Sequence, residues 1–251
     1  MKVPDRKLLI TFAILSIPLL LVIIPINMYF SHDASELLKG YPHRTSNEDD
    51  ARLVIKFHRP GNWTSLSGIS KYAQSAIVFS EDWSFYDHEG FDSEQMKVAF
   101  EEAASGGRVR GASTITQQMV KNVWLSDDRT LWRKLQELIL AYKVDRDLSK
   151  KRILEIYLNV IEFGPKIYGI TKAANHYFGK HPSALSPREG AFLAMLLPSP
   201  KRYYISFRKK KLTKFAKTRI KQILIKMRMG KVITPEQCQD EIISSFNWEV
   251  N

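Results

Sequence analysis

The stretch GASTITQQ, residues 111–118, predicts the start of a helix. Thr114 and Gln117 have the spacing of a capping box, in which each side chain bonds a backbone amide at the helix start. Such amides and hydroxyl groups suit anionic oxygens, and Lys121 adds a positive charge one turn later. An ordinary capped helix is the alternative, and the local spacing does not decide between the two.

Helical spacing of apolar residues dominates the chain around this stretch. Residues 31–72 are polar and mixed, and they have room for one strand at the apolar patch 53–57. Neither an internal repeat nor the alternation of strands and helices that builds a parallel sheet occurs in the sequence. The predicted class is therefore mainly α. The predicted helices are Ser93–Ala104, Leu131–Asp147, Lys150–Val160 and Pro187–Leu196.

Two adjacent acids, Glu81 and Asp82, open the segment EDWSFYDHEG, residues 81–90, directly after the apolar run 76–79. A carboxylate in a partly apolar pocket has its charged form disfavoured, which raises its pKa and makes it a stronger base. Such an environment suits a general base. Acid pairs in loops are more often solvated or cap a helix, so the pair alone leaves both interpretations open.

A third cluster contains Arg129, Arg133 and Glu137, at positions i, i+4 and i+8. In a helix these three side chains share one face. One interpretation is a cationic surface that faces a diphosphate, with Glu137 orienting the cations or a substrate hydroxyl. The other is a solvated row of salt bridges, each worth about 0.2–0.5 kcal/mol.

The positive charge of the chain is concentrated in one segment. The 251 residues carry a formal net charge of +12, and segment 201–231 holds 13 Lys or Arg residues without any Asp or Glu. Its apolar residues recur at helical spacing, which predicts a basic amphipathic helix. We expect the catalytic cations to lie elsewhere in the chain. The apolar stripe consists of Leu212, Phe215, Ala216, Ile220, Ile223, Leu224 and Met227.

The basic helix has two interpretations. In the simpler one it is a surface helix that packs its apolar stripe on the core. In the other, its lysines also contact anionic lipid headgroups, at about 1 kcal/mol for each well-placed cation. No nucleic-acid-binding motif accompanies it, so nucleic acid is not an expected partner. The lysines proposed for the lipid contact are Lys209, Lys210, Lys211, Lys214 and Lys217.

Residues 8–30 are uncharged and strongly apolar, and they predict a membrane span. A helix of this length covers about 34 Å, which is enough for a ~30 Å hydrocarbon core. Lys2, Arg6 and Lys7 precede the span, so the positive-inside rule predicts a cytoplasmic amino terminus and a translocated body. A cleaved signal peptide is the alternative, but its apolar region is normally only ~7–15 residues long. The single cysteine, Cys238, excludes an internal disulfide framework and a multi-cysteine metal site.

In their order and spacing, these clusters resemble glycosyltransferase family 51, the peptidoglycan glycosyltransferases. The acidic opening of that family corresponds to residues 81–90, its Gly-x-Ser-Thr-Ile-x-Gln-Gln motif to 111–118, and its Arg-Lys-x-x-Glu motif to 133–137. A fourth motif, Ile-Leu-x-x-Tyr-Leu-Asn, corresponds to residues 153–159, and a fifth region to residues 173–191. Five motifs in one order form a specific match.

The resemblance implies a mainly α, lysozyme-like glycosyltransferase domain behind one amino-terminal transmembrane helix. About 48 residues follow Tyr203, and the motifs of a penicillin-binding transpeptidase domain do not occur, so the monofunctional subgroup is expected. The expected organisation is a cytoplasmic tail at 1–7, the transmembrane helix at 8–30, a connector at 31–72, the glycosyltransferase core at 73–207 and a basic helical segment at 208–251.

Members of this family polymerise lipid II, a disaccharide-pentapeptide on a polyprenyl diphosphate, with inversion at the anomeric carbon. The resemblance implies that Glu81 is the general base and that Glu137 supports the donor diphosphate site. By the same correspondence the residues that bind the substrate are Ser113, Gln118, Lys121, Arg129 and Arg133.

The resemblance also implies cofactors, partners and a location. A divalent cation, Mg²⁺ or Mn²⁺, is expected, although the sequence offers no self-evident ligand set. The expected partners are lipid II, the growing glycan strand, the membrane and proteins of cell-wall synthesis. The expected location is the cell inner membrane, with a single span and a periplasmic catalytic domain.

Two other functions stay open at this level. A lysozyme-like lytic hydrolase of glycan also uses two separated acids, but it does not need the cations at Lys121, Arg129 and Arg133, because its substrate is neutral. A catalytically silent scaffold for cell-wall machinery is the other alternative, and the presence of both Glu81 and Glu137 argues against it.

Overall fold

The computed structural model describes residues 33–45, 53–105, 113–126, 128 and 130–250. The predicted span over residues 8–30 therefore lies outside the described residues. Within them, no helix has both the length and the apolar character that crossing a membrane requires.

The described part begins with a short helix and a β-hairpin. Helix α1 spans Glu36–Lys39, and strands β1, Tyr41–Arg44, and β2, Leu53–Lys56, pair antiparallel with Tyr41 opposite Lys56. The strand predicted at the apolar patch is thus β2, and its partner β1 was not predicted. A second hairpin joins β3, Glu162–Gly164, to β4, Ile167–Tyr168.

Helices make up most of the remaining described residues, which confirms the mainly α class. The longer helices are α2 Lys71–Glu81, α3 Ser93–Ala104, α4 Ile115–Trp124, α5 Leu131–Asp147, α6 Lys150–Val160, α7 Ile170–Phe178, α8 Pro187–Leu196, α11 Lys214–Met229 and α12 Pro235–Ile243. The four-residue helices α9, Pro200–Tyr203, and α10, Ile205–Arg208, connect α8 to α11.

All four predicted helices have the predicted bounds, and side-chain caps mark where α5, α6 and α8 begin. Ser149 and Ser186 accept hydrogen bonds from the first turns of α6 and α8, and α8 adds a Pro at its first position and a capping box. At the start of α4, Thr114 and Gln117 form the predicted capping box. Local side-chain chemistry therefore decides these boundaries.

The core is built around α8, all of whose residues are buried. Helices α2 and α11 pack against it, and α4 packs against both α5 and α6. Gly190 makes the contact with α2 close, since a Cβ atom there would lie 2.8 Å from the Cα of Ala73. These contacts hold the carboxyl end of α2, where Glu81 lies, at a defined place beside α11.

The basic helix α11 packs on the core as the simpler interpretation predicts. Its buried residues are Ala216, Ile220, Ile223, Leu224 and Met227. Two members of the predicted stripe differ. Leu212 is buried but precedes the helix, and Phe215 is 47% exposed and stacks on Tyr203 with ring centroids 4.6 Å apart. Phe215 is more exposed than the rest of the stripe because it lies about 140° around the helix from Ile220, outside the centre of the buried face.

Candidate active site

A cleft of about 890 Å³ lies between α2, α4, α5 and α11 and brings most of the predicted site residues together. Its polar lining contains six of the seven predicted site residues. It also contains three cations that were not predicted as site residues. These residues are Glu81, Glu137, Ser113, Gln118, Lys121, Arg133, Lys134, Arg219 and Lys226.

Glu81 is the last residue of α2 and extends into this cleft. The side-chain amide of Gln118 donates a hydrogen bond to its Oε2 atom over 3.1 Å, and the Ser80 hydroxyl approaches Oε1 at 3.5 Å. Both direct donors are neutral. Burial raises the pKa of Glu81, while the Gln118 hydrogen bond and the positive charges of Arg219 and Lys226 offset part of that rise.

Asp82, the neighbour of Glu81, has a structural place instead. It is 7% exposed, and its Oδ2 atom accepts a hydrogen bond from the backbone amide of Ile115 over 2.9 Å. The Nε2 atom of His88 lies 3.0 Å from its Oδ1 atom. The interpretation of an acid as a helix cap is thus correct for Asp82, which joins the start of α4 to the end of α2.

The start of α4 carries two of the predicted binding residues. Ser113 precedes the capping residue Thr114, whose hydroxyl donates to the carbonyl oxygen of Gly90 over 2.6 Å. Gln118 lies one turn into the helix and reaches Glu81. Lys121 follows it on the cleft-lining side of α4. The capped helix start is therefore also part of the cleft.

Glu137 lies in α5 and is 3% exposed. Its Oε2 atom accepts a hydrogen bond from Arg133 over 2.6 Å, and its Oε1 atom accepts one from the ammonium group of Lys134. Lys134 also donates to the Ser113 hydroxyl over 3.0 Å, which ties α5 to the start of α4. The predicted contact between Arg133 and Glu137 is confirmed, and its burial is unlike a solvated salt bridge. Arg129 lies outside the described residues.

Three cations in the cleft were not predicted as site residues. Lys134 lies within the Arg-Lys-x-x-Glu motif, so the motif itself could have indicated it. Arg219 and Lys226 belong to the basic segment, in contrast to our expectation that the cleft would take its cations from elsewhere. Their spacing of seven residues places them on one side of α11, at the border of its buried stripe. Helical spacing could have indicated that they face inward.

The cleft residues that the structure describes do not form an evident site for the divalent cation that the resemblance implies. Both carboxylate oxygens of Glu137 accept hydrogen bonds from cationic groups, so this carboxylate is not arranged as a metal ligand. The described residues contain no group of three or more His, Cys, Asp or Glu side chains that could hold a metal ion. The cation stays a prediction from the resemblance.

Known proteins of one family are similar to this chain. A family model described as Transglycosylase matches residues 50–228. The biosynthetic peptidoglycan transglycosylase of Nitrosospira multiformis is 45% identical over 142 residues, which cover 56% of this chain and 62% of that protein. The protein of the same name from Herminiimonas arsenicoxydans is 38% identical over 204 residues, which cover 79% of this chain and 87% of that protein.

A third relative extends the comparison to another organism. The biosynthetic peptidoglycan transglycosylase of Brucella suis is 46% identical over 138 residues, which cover 55% of this chain and 62% of that protein. The matched part thus spans less than two thirds of the Nitrosospira and Brucella proteins. The match to the family model and the long alignment with the Herminiimonas protein are sufficient to assign the family, and the chain belongs to the transglycosylase family.

Proposed function

We propose that the protein is a peptidoglycan glycosyltransferase that polymerises lipid II into glycan strands and releases polyprenyl diphosphate. One observation carries the proposal: a single cleft joins a desolvated carboxylate, that of Glu81, to five cationic side chains. The names of the relatives support the same activity. The cations are Lys121, Arg133, Lys134, Arg219 and Lys226.

In the proposed reaction the 4-hydroxyl oxygen of the acceptor sugar attacks the anomeric carbon of the growing strand. Glu81 takes the hydroxyl proton as the new glycosidic bond forms. The bond from the anomeric carbon to the diphosphate oxygen breaks with its electron pair, so the configuration inverts and the lipid diphosphate leaves. Because a diphosphate is a good leaving group, the reaction needs cations at this end more than a second acid.

The environment of Glu81 suits the role of a base. Burial raises its pKa and therefore its proton affinity, whereas the Gln118 donor and two nearby cations counteract the rise. A base that works near neutral pH has to be both ionised and basic, and opposing contributions of this kind provide that compromise.

Glu137 has a different proposed role, which is to orient cations toward the diphosphate. Its carboxylate holds Arg133 and Lys134 from two sides, and Lys134 also bonds Ser113. The side chain of Lys134 is 39% exposed, so its ammonium group is open to a ligand in the cleft. Cations fixed in this way stabilise a developing negative charge without rearranging.

We also propose that residues 8–30 anchor the protein in the cell inner membrane, with residues 1–7 in the cytoplasm and the catalytic domain in the periplasm. The charge pattern around the apolar run supports this orientation. Substrate and product both carry lipid tails, so an anchored site meets them at a high effective concentration.

The test is to incubate the purified full chain with labelled lipid II and to separate the products by size. We expect glycan polymer from the native protein and a rate about 10²–10⁴-fold lower from Glu81→Gln, because the amide cannot accept the proton. Glu89→Gln is the matched control, since Glu89 belongs to the same segment but is exposed and outside the cleft.

The same assay separates the other functions. Polymer formation by Glu81→Gln at the native rate would remove Glu81 from its role. Soluble fragments released from preformed glycan would identify a hydrolase, although the five cations of the cleft are not needed for cleaving a neutral strand. A native protein that neither extends nor cleaves glycan would fit the silent scaffold.

A further inference from the structure

Tyr157 is a motif residue of α6 to which the proposed reaction assigns no part. Its side chain is fully buried, and its hydroxyl donates a hydrogen bond to the Oε1 atom of Gln118 over 2.9 Å. The same amide group of Gln118 donates through Nε2 to Glu81 over 3.1 Å. The three side chains thus form a chain of hydrogen bonds that runs from the core to the cleft.

The side-chain amide of Gln118 has two orientations that differ by a half-turn. In the observed one, its NH₂ group faces Glu81 and stabilises the carboxylate. In the reversed one, its oxygen would face Glu81 and disfavour the charged form. Which orientation is populated therefore affects how readily Glu81 is ionised.

The Tyr157 hydroxyl distinguishes between these orientations. Among the described residues, Gln118 is its only hydrogen-bond partner. If the amide turned around, the hydroxyl would face an NH₂ group, and its own hydrogen would have no acceptor in a buried site. Such an unsatisfied donor is costly. Burial and the charges of Glu81 and Asp82 raise the pKa of Tyr157 well above its ordinary value, so the hydroxyl stays protonated as a donor.

From this geometry we propose that Tyr157 is a positioning residue, which orients the Gln118 amide so that its NH₂ group faces the base Glu81. The proposal rests on the proposed function, because it concerns the same site and the same base. Tyr157 does not touch the substrate in this arrangement, and it acts through Gln118. Its removal therefore changes the ionisation of the base more than the binding of lipid II.

The test is the pH dependence of kcat/KM for the full chain and for Tyr157→Phe. The acidic limb of this profile reports the base of the free enzyme. Without the enforced donor the pKa of Glu81 rises, so we expect the limb to move to higher pH by about 0.4–1 pH unit. The rates of the two proteins should approach each other at alkaline pH, where Glu81 is ionised in both.

Tyr177→Phe is the matched control. Tyr177 is also buried, and its hydroxyl donates to the backbone oxygen of Phe163 over 2.8 Å, away from Glu81. Both Tyr157→Phe and Tyr177→Phe remove one hydrogen bond from a buried tyrosine hydroxyl to an amide oxygen. An effect of that loss on the structure alone would therefore appear in both variants. We expect the acidic limb of Tyr177→Phe to stay at its native pH, and an equal movement in both variants would overturn the proposal.

A second variant tests whether the effect passes through Gln118. Gln118→Met keeps the side-chain length but cannot donate, and we expect it to move the acidic limb in the same direction. The double variant with Tyr157→Phe should move it no further, because Tyr157 has no amide left to orient. Independent, additive movements would contradict the proposal.

Direct titration separates this proposal from the function on which it rests. The ¹³C carboxyl signal of Glu81, assigned by its loss in Glu81→Gln, reports ionisation without any substrate. An upward movement of its titration in Tyr157→Phe supports the positioning role even if the native chain makes no glycan polymer. A native titration in Tyr157→Phe, from a chain that does make polymer, would overturn the positioning role and leave the function in place.

Discussion

The two sides of the cleft each combine one glutamate with two cations, yet they arrange them differently. On one side Arg133 and Lys134 bond directly to the two oxygens of Glu137. On the other side Arg219 and Lys226 line the cleft near Glu81 without forming an ion pair to it among the described residues. The donors that contact Glu81 are the neutral side chains of Gln118 and Ser80.

This difference shows how one residue type serves two roles. A carboxylate that is bonded to cations holds its charge and arranges its partners, which suits a site for an anionic group. A desolvated carboxylate with neutral donors and distant cations keeps a raised pKa and can take up a proton. The placement of cations, more than their number, separates the base from the orienting acid.

The largest expected effect is on the stability of the Glu137 side. Glu137→Gln removes the negative charge and one of the two acceptor oxygens that hold Arg133 and Lys134, and the guanidinium of Arg133 is largely buried, with a side chain that is 14% exposed. Breaking one partner of a buried pair costs about 3 kcal/mol or more, so we expect a clear loss of unfolding free energy in denaturant titration. Glu81→Gln should show no such loss, because it removes a carboxylate that burial already disfavours.

A surface pair on the same helix is the control for this result. Arg146 and Asp147 are paired, with side chains that are 65% and 37% exposed. Asp147→Asn is expected to change stability by less than about 1 kcal/mol. If Glu137→Gln were as mild as Asp147→Asn, the direct bonds on that side would not be what distinguishes the two glutamates.

The next effect concerns catalysis at Lys134. This residue bonds both Glu137 and Ser113 and keeps its ammonium group accessible from the cleft. Loss of a charge-assisted hydrogen bond to the leaving diphosphate corresponds to about a 10–100-fold lower kcat/KM in Lys134→Ala. Lys151→Ala, at an exposed position of α6, should have native kinetics. Native kinetics in Lys134→Ala would remove this residue from the diphosphate site.

A smaller effect with a characteristic pH dependence is expected at Glu81. Its pKa is raised in the folded protein, so the folded state binds a proton more tightly than the unfolded state, and ionisation of Glu81 costs stability as pH rises above its ordinary value of 4.5. Glu81→Gln removes this cost. The variant should therefore match the native midpoint of thermal unfolding at pH 4 and exceed it by a few degrees at pH 8.

The control for this pH dependence is again Glu89→Gln, which replaces an exposed glutamate. Its midpoint should follow the native one at every pH. An advantage of Glu81→Gln that shrinks as pH rises would have the wrong sign for a carboxyl whose pKa burial raises, and would contradict this interpretation of Glu81.

Much of the fold could be predicted from the sequence, because capping residues and apolar spacing act within a few positions of each other. The bounds of α3, α5, α6 and α8 were predicted from apolar spacing, and the start of α4 was predicted from its capping box. The resemblance assigned the role of base to Glu81, but the local pattern alone could not predict the division of labour between Glu81 and Asp82. It depends on Ile115, whose amide reaches Asp82 only after α4 has packed beside α2.

The cations of the cleft show the same limit. Arg133 and Glu137 are one helical turn apart, and their contact follows from spacing. Arg219 and Lys226 join Glu81 only through the packing of α11 on α8 and α2. The charge count identified the basic segment, but it did not show which of its cations face the cleft and which face solvent. Net charge carries no information about which side of a helix is buried.

The smallest expected effects are those of the exposed lysines of this segment, which would contact lipid headgroups. Replacing them by Gln one at a time should lower the affinity for anionic vesicles by about fivefold or less each, since each cation near a membrane contributes about 1 kcal/mol. A protein without residues 1–33 is suitable, because the described residues from Ala34 onward form one compact unit. Co-sedimentation with vesicles measures the change. The lysines are Lys209, Lys210, Lys211, Lys214 and Lys217.

Lys226→Gln is the informative counterpart, since Lys226 lies on the same helix but inside the cleft. Its ammonium group donates to the backbone oxygen of Phe79 over 2.8 Å and is partly buried. We expect Lys226→Gln to slow polymerisation and leave vesicle binding unchanged. Replacing the exposed lysines should weaken vesicle binding and leave polymerisation unchanged. If all these substitutions weakened vesicle binding equally, every cation of the segment would contribute to lipid binding, whichever way its side chain faces. The cations beside Glu81 would then have no function separate from those outside.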